Sequence, residues 1–300
     1  MNRVEFGQLL ATLRQDLGWT QFKLAEVADI DEAVVSQVER GVKRFLAPDL
    51  LFALANALQL TTLERREFVL AACGLEEEKI VRQAGANVKT DVFNSRKVLE
   101  KLVDLCGSVR LPAFVVDVYS DVIAVNNAMV AFYEISPELL ATAAQVLGGF
   151  NTMRVNYGKE LIGRNRILEN WENYALNSMR SFRANTLRYR TKPYFKHLIK
   201  IFRDPIEYPL FERYWNLVSS LEQDKDASID IFSYHHPRFG DLNYIATPTT
   251  ALTSYGELFL VQNLPLDEHT EQVFGDLLKA AGVGTLRFSS WPEKPIPQTG

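Results

Sequence analysis

Residues 17 to 44, LGWTQFKLAEVADIDEAVVSQVERGVKR, constrain this chain more than any other stretch. Thr20 and Gln21 open one short helix, Ala28, Asp29 and Ile30 make a tight turn, and a second helix from Asp31 to Arg40 stops at Gly41. Val35 and Val38 share a face that must pack on Leu24, Ala25 and Ile30, and the small Ala25 lets the two helices approach closely. Glu32, Ala33, Val34, Ser36 and Gln37 are left facing outward. Two short helices joined in this way can lay the second in a DNA major groove. There Gln can bind adenine through two hydrogen bonds, Glu can accept from cytosine N4, and Ala or Val can touch a thymine methyl. Gln21 stands at a helix N-terminus, where side chain and backbone N–H can meet a phosphate. Arg40, Lys43 and Arg44 cluster just beyond the reading helix, where phosphates would lie. The competing reading is a generic helical bundle with a solvated face; turn, caps and outward polar residues all agree with the helix-turn-helix instead.

Charge argues in the other direction. The net charge is −4, and within the first 75 residues ten acids outnumber eight bases. Local placement matters more than the total, because phosphates meet only the cations at the contact. No apolar run reaches the ~20 residues a membrane span needs. The opening segment is amphipathic and carries acids, so it does not read as a signal peptide. Cys73 and Cys106 form no paired pattern, and the expected compartment is reducing and cytoplasmic.

Periodicity sets the organisation. Residues 3 to 74 predict five short helices, with Thr20 and Asp31 as N-caps and Gly41 and Gly74 as stops. Residues 75–91 are polar and read as a linker. Val92 to Cys106 predicts an amphipathic helix joining two domains, with Val98, Leu99, Leu102 and Leu105 on one face. Residues 111–118 and 121–126 read as a β-hairpin turning at Tyr119 and Ser120. Helices are expected at 127–133 and 137–146, and a helical pattern over 159–220 carries a stripe of Leu161, Leu168, Trp171, Ala175, Met179 and Phe182. Strands follow at 228–235, 241–248 and 256–263, then a helix at 267–281. The expected division is a DNA-binding domain over 1–75, a linker and connecting helix over 76–108, a second domain over 109–282, and a loose tail over 283–300.

Residues 5 to 73 resemble the phage-repressor-like (XRE-type) helix-turn-helix domain, through Leu10, Arg14, Thr20, Gln21, Leu24, Ala25, Ile30, Ser36, Glu39, Arg40, Gly41, Leu54, Ala55, Ala57 and Leu58. Asp29 replaces the usual turn glycine, and Glu32-Ala33-Val34 makes the start of the reading helix less basic than typical. Residues 97 to 282 resemble the ligand-binding domain of MmyB-like regulators. The matching stretches are Pro112-Ala113-Phe114-Val115-Val116, Ile123-Ala124-Val125-Asn126, Trp171, Met179-Arg180, Phe211-Glu212-Arg213-Tyr214-Trp215, His236-Pro237-Arg238-Phe239-Gly240 and Leu242. The two resemblances together imply a multidomain chain. An all-α five-helix domain precedes an α+β PAS-like domain, in which an antiparallel sheet has helices over one face and a cavity between them.

The residues expected to face that cavity are Phe114, Val116, Ile123, Val125, Met129, Phe132, Trp171, Met179, Phe182, Phe211 and Trp215. Such a set serves either as ordinary core or as a pocket. An apolar ligand such as a fatty acid suits it better than a flavin, which needs several polar partners. Arg180 and His236 are the expected partners of a ligand carboxylate. Residues 180–203 hold eight Lys or Arg and no acid; the candidates to offset them are acidic helices of the same domain, a ligand carboxylate or DNA phosphates, and the competing reading is a solvated helix face paired with nearby acids. The adjacent His235 and His236 lie on opposite faces of a strand and cannot share a metal. No catalytic motif is present, and neither an enzyme nor a metal site is expected; a hydrolase or haem sensor would need His236 or His197 in the pocket.

The expectation is a cytoplasmic transcriptional regulator that binds a double-stranded DNA operator as a homodimer, senses a small apolar ligand and uses no membrane. The alternative is a regulator whose second domain binds no ligand and serves only dimerisation or a protein partner.

Overall fold

The structure is a computed structural model that describes residues 1–74, 94–144, 149–160, 162–167, 171–220, 231–289 and 291–294. The expected linker at 75–91, the start of the connecting helix at Val92, and Leu161 and Leu168 of the helical stripe lie outside the described residues. The chain divides into two compact units. One comprises Met1–Asn87, Ser178–Lys196 and Trp215–Lys225; the other comprises Val88–Asn177, His197–Tyr214 and Asp226–Gly300.

The first unit begins with helices α1 (Arg3–Asp16), α2 (Gln21–Ala28), α3 (Glu32–Glu39), α4 (Pro48–Ala57) and α5 (Thr62–Ala72). Each start has a local cause. Asn2 and Glu5 form a reciprocal capping box on α1, and Thr61 and Glu64 form another on α5. Thr20 and Asp31 cap α2 and α3 with their side-chain oxygens, and Pro48 opens α4 at a position where its missing N–H costs nothing. The fully buried Leu9, Leu10, Leu24, Val35, Leu54 and Phe68 knit these helices into one core. Leu187 enters the same core from far along the chain.

The second unit is built on a six-stranded antiparallel sheet of order β3-β4-β5-β1-β2-β6. Its strands are β1 (Ala113–Asp117), β2 (Val122–Asn126), β3 (Ile231–His236), β4 (Gly240–Thr253), β5 (Gly256–Pro265) and β6 (Thr285–Arg287). Both faces are covered, whereas helices over one face were expected. On one face α6 (Ser95–Ser108) packs Leu99, Leu102, Val103 and Cys106 against Ala113, Val115, Leu258 and Leu260. On the other, α7 (Asn127–Phe132) and α14 (Glu268–Ala281) bring Met129, Phe132, Val273, Phe274 and Leu277 onto Val125, Leu242 and Tyr244. The helix expected to join the domains therefore spends its apolar face on this sheet. That face runs through Val103 and Cys106, while Leu105 is 48% exposed.

The hairpin falls where expected, with Ser120 in the left-handed region at its turn. Its register slips by one residue: Val115 pairs with Ala124 but Val116 with Val122. The extra residue, Ile123, turns to the α6 side with its neighbour Ala124. Asn126 ends β2 and ties the corner together. Its side-chain oxygen accepts from the backbone N–H of Ala113 and of Met129, which caps α7.

The tail is not loose as far as residue 294. Thr285–Arg287 pairs with β2, Phe288 stacks on Phe150 at 4.3 Å, and Trp291 is buried in the α6-side core. Three residues of mixed polarity carry no periodicity, and the strand exists because β2 offers an unpaired edge. Between hairpin and third strand lie α8 (Pro137–Ala144), α9 (Thr152–Tyr157), α10 (Ile162–Arg166), α11 (Trp171–Thr186), a 3-10 turn at Leu187–Tyr189, α12 (Pro193–Phe202) and α13 (Phe211–Ser220).

Candidate functional site

The second and third helices form the expected turn. Asp29 closes α2 at φ 52° and ψ 49°, a left-handed conformation that Asp tolerates through its short polar side chain. Val35 and Val38 are buried, Glu32, Ala33 and Gln37 are exposed, and Val34 and Ser36 are half-covered. Arg40 stays exposed although its Nε donates to the Ser36 carbonyl; Lys43 is half-covered and Arg44 exposed.

An internal ion pair fixes the tilt of this helix. Arg14 on α1 donates through Nε and Nη2 to the two oxygens of Glu39 at 2.6 and 3.0 Å, and through Nη1 to the Trp19 carbonyl. Gln21 donates its side-chain amide to Glu39 Oε2 at 2.6 Å. The expected phosphate contact of Gln21 thus shares its amide with an internal bond that joins α2 to α3: one N–H is given to Glu39. Gly7 makes the close approach possible: a Cβ there would lie 2.2 Å from the Glu39 carbonyl oxygen. Sequence reasoning missed this positioning set, although Arg14, Gln21 and Glu39 carry the family resemblance.

A second buried network lies behind α5. Glu64, fully buried, accepts from Arg183 at 2.9 and 3.1 Å and from Arg190 at 2.6 Å. Both guanidinium groups lie over the Trp215 ring, at 5.0 and 5.2 Å. Burial by itself pushes the Glu64 carboxyl up, but the two arginines outweigh it and hold the group below its ordinary value. Arg188 pairs with Glu67 at 3.1 Å. Much of the acid-free stretch is thus offset by α5 of the DNA-binding domain. The signal was present as uncompensated charge, but nothing in the sequence pointed to Glu64 as the partner.

The expected ligand-contacting residues do not form one set. Phe114, Val125, Met129, Phe132 and Trp171 share the core on the α7 and α14 face, whereas Ile123 is carried to the opposite face by the bulge. Val116 is buried on β1. Phe211 packs on Tyr157 and Phe202. Met179, Arg180, Phe182 and Trp215 belong to the first unit, where Phe182 lies against Phe195 and Trp215. Phe132 is enclosed by Tyr133, Tyr234, Tyr244, Phe274 and His236. Trp171, Tyr174 and Phe114 remain half-covered at the margin of this core, with Tyr174 packed on Phe232 at 5.0 Å.

His236 is spoken for. It is buried, its Nε2 lies 3.0 Å from the Phe132 carbonyl, and its Nδ1 accepts from the Arg238 backbone N–H at 3.1 Å. These partners fix a neutral ring protonated on Nε2, and burial lowers its pKa. It cannot also serve a ligand carboxylate, because both nitrogens already have partners. The neighbouring His235 points to the opposite, exposed side and meets Asp241 at 2.7 Å. Among the described residues no group of three or more His, Cys, Asp or Glu is placed to hold a metal ion, and no helix is long and apolar enough to cross a membrane.

Residues 96–277 match the family described as the MmyB-like transcription regulator ligand binding domain, and residues 5–68 match a helix-turn-helix domain. Among solved structures, the chain is similar to the restriction-modification controller protein C.AhdI from Aeromonas hydrophila. The two are 38% identical over 22% of this chain and 92% of that one, with a TM-score of 0.20. A search of curated proteins gave no match. With a capped and braced helix-turn-helix ahead of an α+β sheet domain, the chain belongs to the MmyB-like transcription regulators and is a DNA-binding regulator of transcription.

Proposed function

We propose that this regulator reads its operator as a homodimer and that a small apolar molecule bound by the sheet domain adjusts its hold on DNA. The observation that carries the DNA half is the reading helix. Val35 and Val38 anchor it, the Glu39–Arg14 pair sets its tilt, and Glu32, Ala33 and Gln37 stay exposed. One such helix reaches only a few base pairs, so two half-sites are needed for useful specificity.

The ligand half rests on the margin of the second core. Trp171, Tyr174 and Phe114 are only half-covered there, beside a fully enclosed aromatic cluster. That wall suits an acyl chain or another apolar molecule, because its side chains offer area and few donors. The enclosed packing around Phe132 favours a second reading, in which the domain binds no ligand and acts in dimerisation or with a protein partner.

Native mass spectrometry of the purified protein, followed by identification of extracted small molecules, separates the two readings. A dimer carrying one apolar molecule per chain, lost in a Trp171→Ala variant that still folds, supports the first. A monomer overturns the dimer. Ligand-free protein whose DNA affinity ignores added fatty acids overturns the sensing role.

A further inference from the structure

We infer that Lys192, just ahead of α12, and Lys196, on the exposed face of that helix, form a second contact with the DNA backbone outside the helix-turn-helix. The inference rests on the DNA-binding reading and extends it to a segment inside the ligand-domain match. Its starting point is a shortage of cations. Acids outnumber bases in the first 75 residues, and the reading helix itself opens with Glu32. Yet half or more of the hydrogen bonds in a protein–DNA interface go to phosphate and sugar. Arg40, Lys43 and Arg44 alone are a thin supply.

The acid-free stretch 180–203 makes up the difference in a particular way. Three of its arginines are internal: Arg183 and Arg190 hold Glu64, and Arg188 holds Glu67. Arg203 pairs with Glu212. Lys192 and Lys196 are exposed, and neither has an ion pair among the described residues. They stand four residues apart, Lys192 immediately before α12 with its carbonyl accepting from the Lys196 N–H, and Lys196 on the side of the helix opposite the buried Tyr194, Phe195 and Leu198. Four residues advance a helix by ~6 Å, close to the spacing of neighbouring phosphates. Lys200 continues the row along the helix.

The pair is also held firmly in the DNA-binding unit, which includes residues up to Lys196. Leu187 is fully buried in the core of the helix-turn-helix, and Arg190, two residues before Lys192, is 3% exposed against Glu64. This short tether joins Lys192 to the same buried network as α5 of the helix-turn-helix. Lysine also suits the task, as a point charge on a flexible stem that follows a backbone without reading bases.

The test is the salt dependence of binding to a labelled duplex of about 30 base pairs and arbitrary sequence, between about 50 and 200 mM salt. Lys192→Ala/Lys196→Ala is compared with wild type and with Lys97→Ala/Lys101→Ala, a charge-matched control on α6. Lys192→Gln/Lys196→Gln guards against a change in helix propensity. The expected result is a slope shallower by about 2 and affinity lower by about tenfold at low salt in both α12 variants, with the control unchanged. A full slope in the α12 variants, or an equal loss in the control, overturns the inference and leaves the DNA-binding reading standing. A wild type that binds no duplex overturns both. So does lysine-dependent binding to phosphatidylserine vesicles without binding to DNA.

Discussion

Arg183 grips Glu64 with two parallel hydrogen bonds, from Nε at 2.9 Å and from Nη2 at 3.1 Å, in a site where the carboxylate is sealed from water. Glu64 lies on the last helix of the helix-turn-helix and Arg183 on a helix inside the ligand-domain match. The DNA-binding core is therefore completed by residues more than a hundred positions downstream.

Replacing Glu64 by Gln should be severe, because it strands Arg183 and Arg190 without a counter-charge. Removing one partner of a buried ion pair typically costs about 3–5 kcal/mol. The wild-type carboxyl lies below its ordinary value of 4.5. Its contribution is therefore present above that value and is lost as pH falls through the lowered one. Urea denaturation at about pH 7 and about pH 4 should show this acid-side loss in wild type and its absence in Glu64→Gln.

Gln37→Ala should weaken binding to the preferred operator by roughly 1–3 kcal/mol and relax the choice at one base pair. Gln37 is exposed on α3 and its backbone carbonyl already serves Val42, so truncating the side chain leaves the fold alone. A competition assay in which the ratio of specific to non-specific binding is unchanged removes Gln37 from the reading set.

Gly7→Ala adds one methyl group where α1 crosses the end of α3, 2.2 Å from a backbone oxygen. Backbone cannot step aside as a flexible side chain can. Overpacking of this kind costs about 1–3 kcal/mol or more, and here it also tilts the reading helix. The expected readouts are a lower melting temperature and a loss of DNA affinity greater than the loss of folded protein explains.

Lys294→Met removes the cation that pairs with Asp117 and Asp121. Burial pushes the Asp117 carboxyl up, Lys294 pulls it back and Asp121 pushes it up again, leaving it at about 6 against an ordinary 3.8. The folded state thus holds this proton more tightly than the unfolded one, so this group's share of stability falls as pH rises from about 4 to about 6. Without Lys294 the rise in Asp117 extends further and the penalty at neutral pH grows. Thermal unfolding should show a larger gap between wild type and variant at about pH 7.5 than at about pH 5. An equal gap at both sets aside the role given to Asp117.

Much of this was legible beforehand. The five N-terminal helices announce themselves by caps and helical spacing, and the hairpin by two β-rich runs around Ser120. What escaped depends on contacts between distant parts of the chain. Ile123 alternates correctly in the sequence, and only the slipped register of its partner strand turns it away from Phe114. Leu105 and Cys106 are neighbours, and the choice of which one faces the sheet follows from how α6 docks. His236 has the right chemistry for its expected ligand, but the Phe132 carbonyl and the Arg238 N–H take both its nitrogens, and Gln21 gives one of its two amide hydrogens to Glu39. Local pattern fixes an element's type; partner geometry fixes which of its donors remain for others.

The short strand at 285–287 has a bearing on how this protein should be cut. The match to the ligand-domain family stops at residue 277. A fragment trimmed at that point would leave the outer edge of β2 bare, open a hole where Trp291 sits, and enclose Asp117 with no cation beside it. An exposed edge of this kind recruits other strands, so such a fragment would gather into aggregates in the test tube. The border of resemblance and the border of foldability lie at least seventeen residues apart, and the second is the one an expression clone must respect.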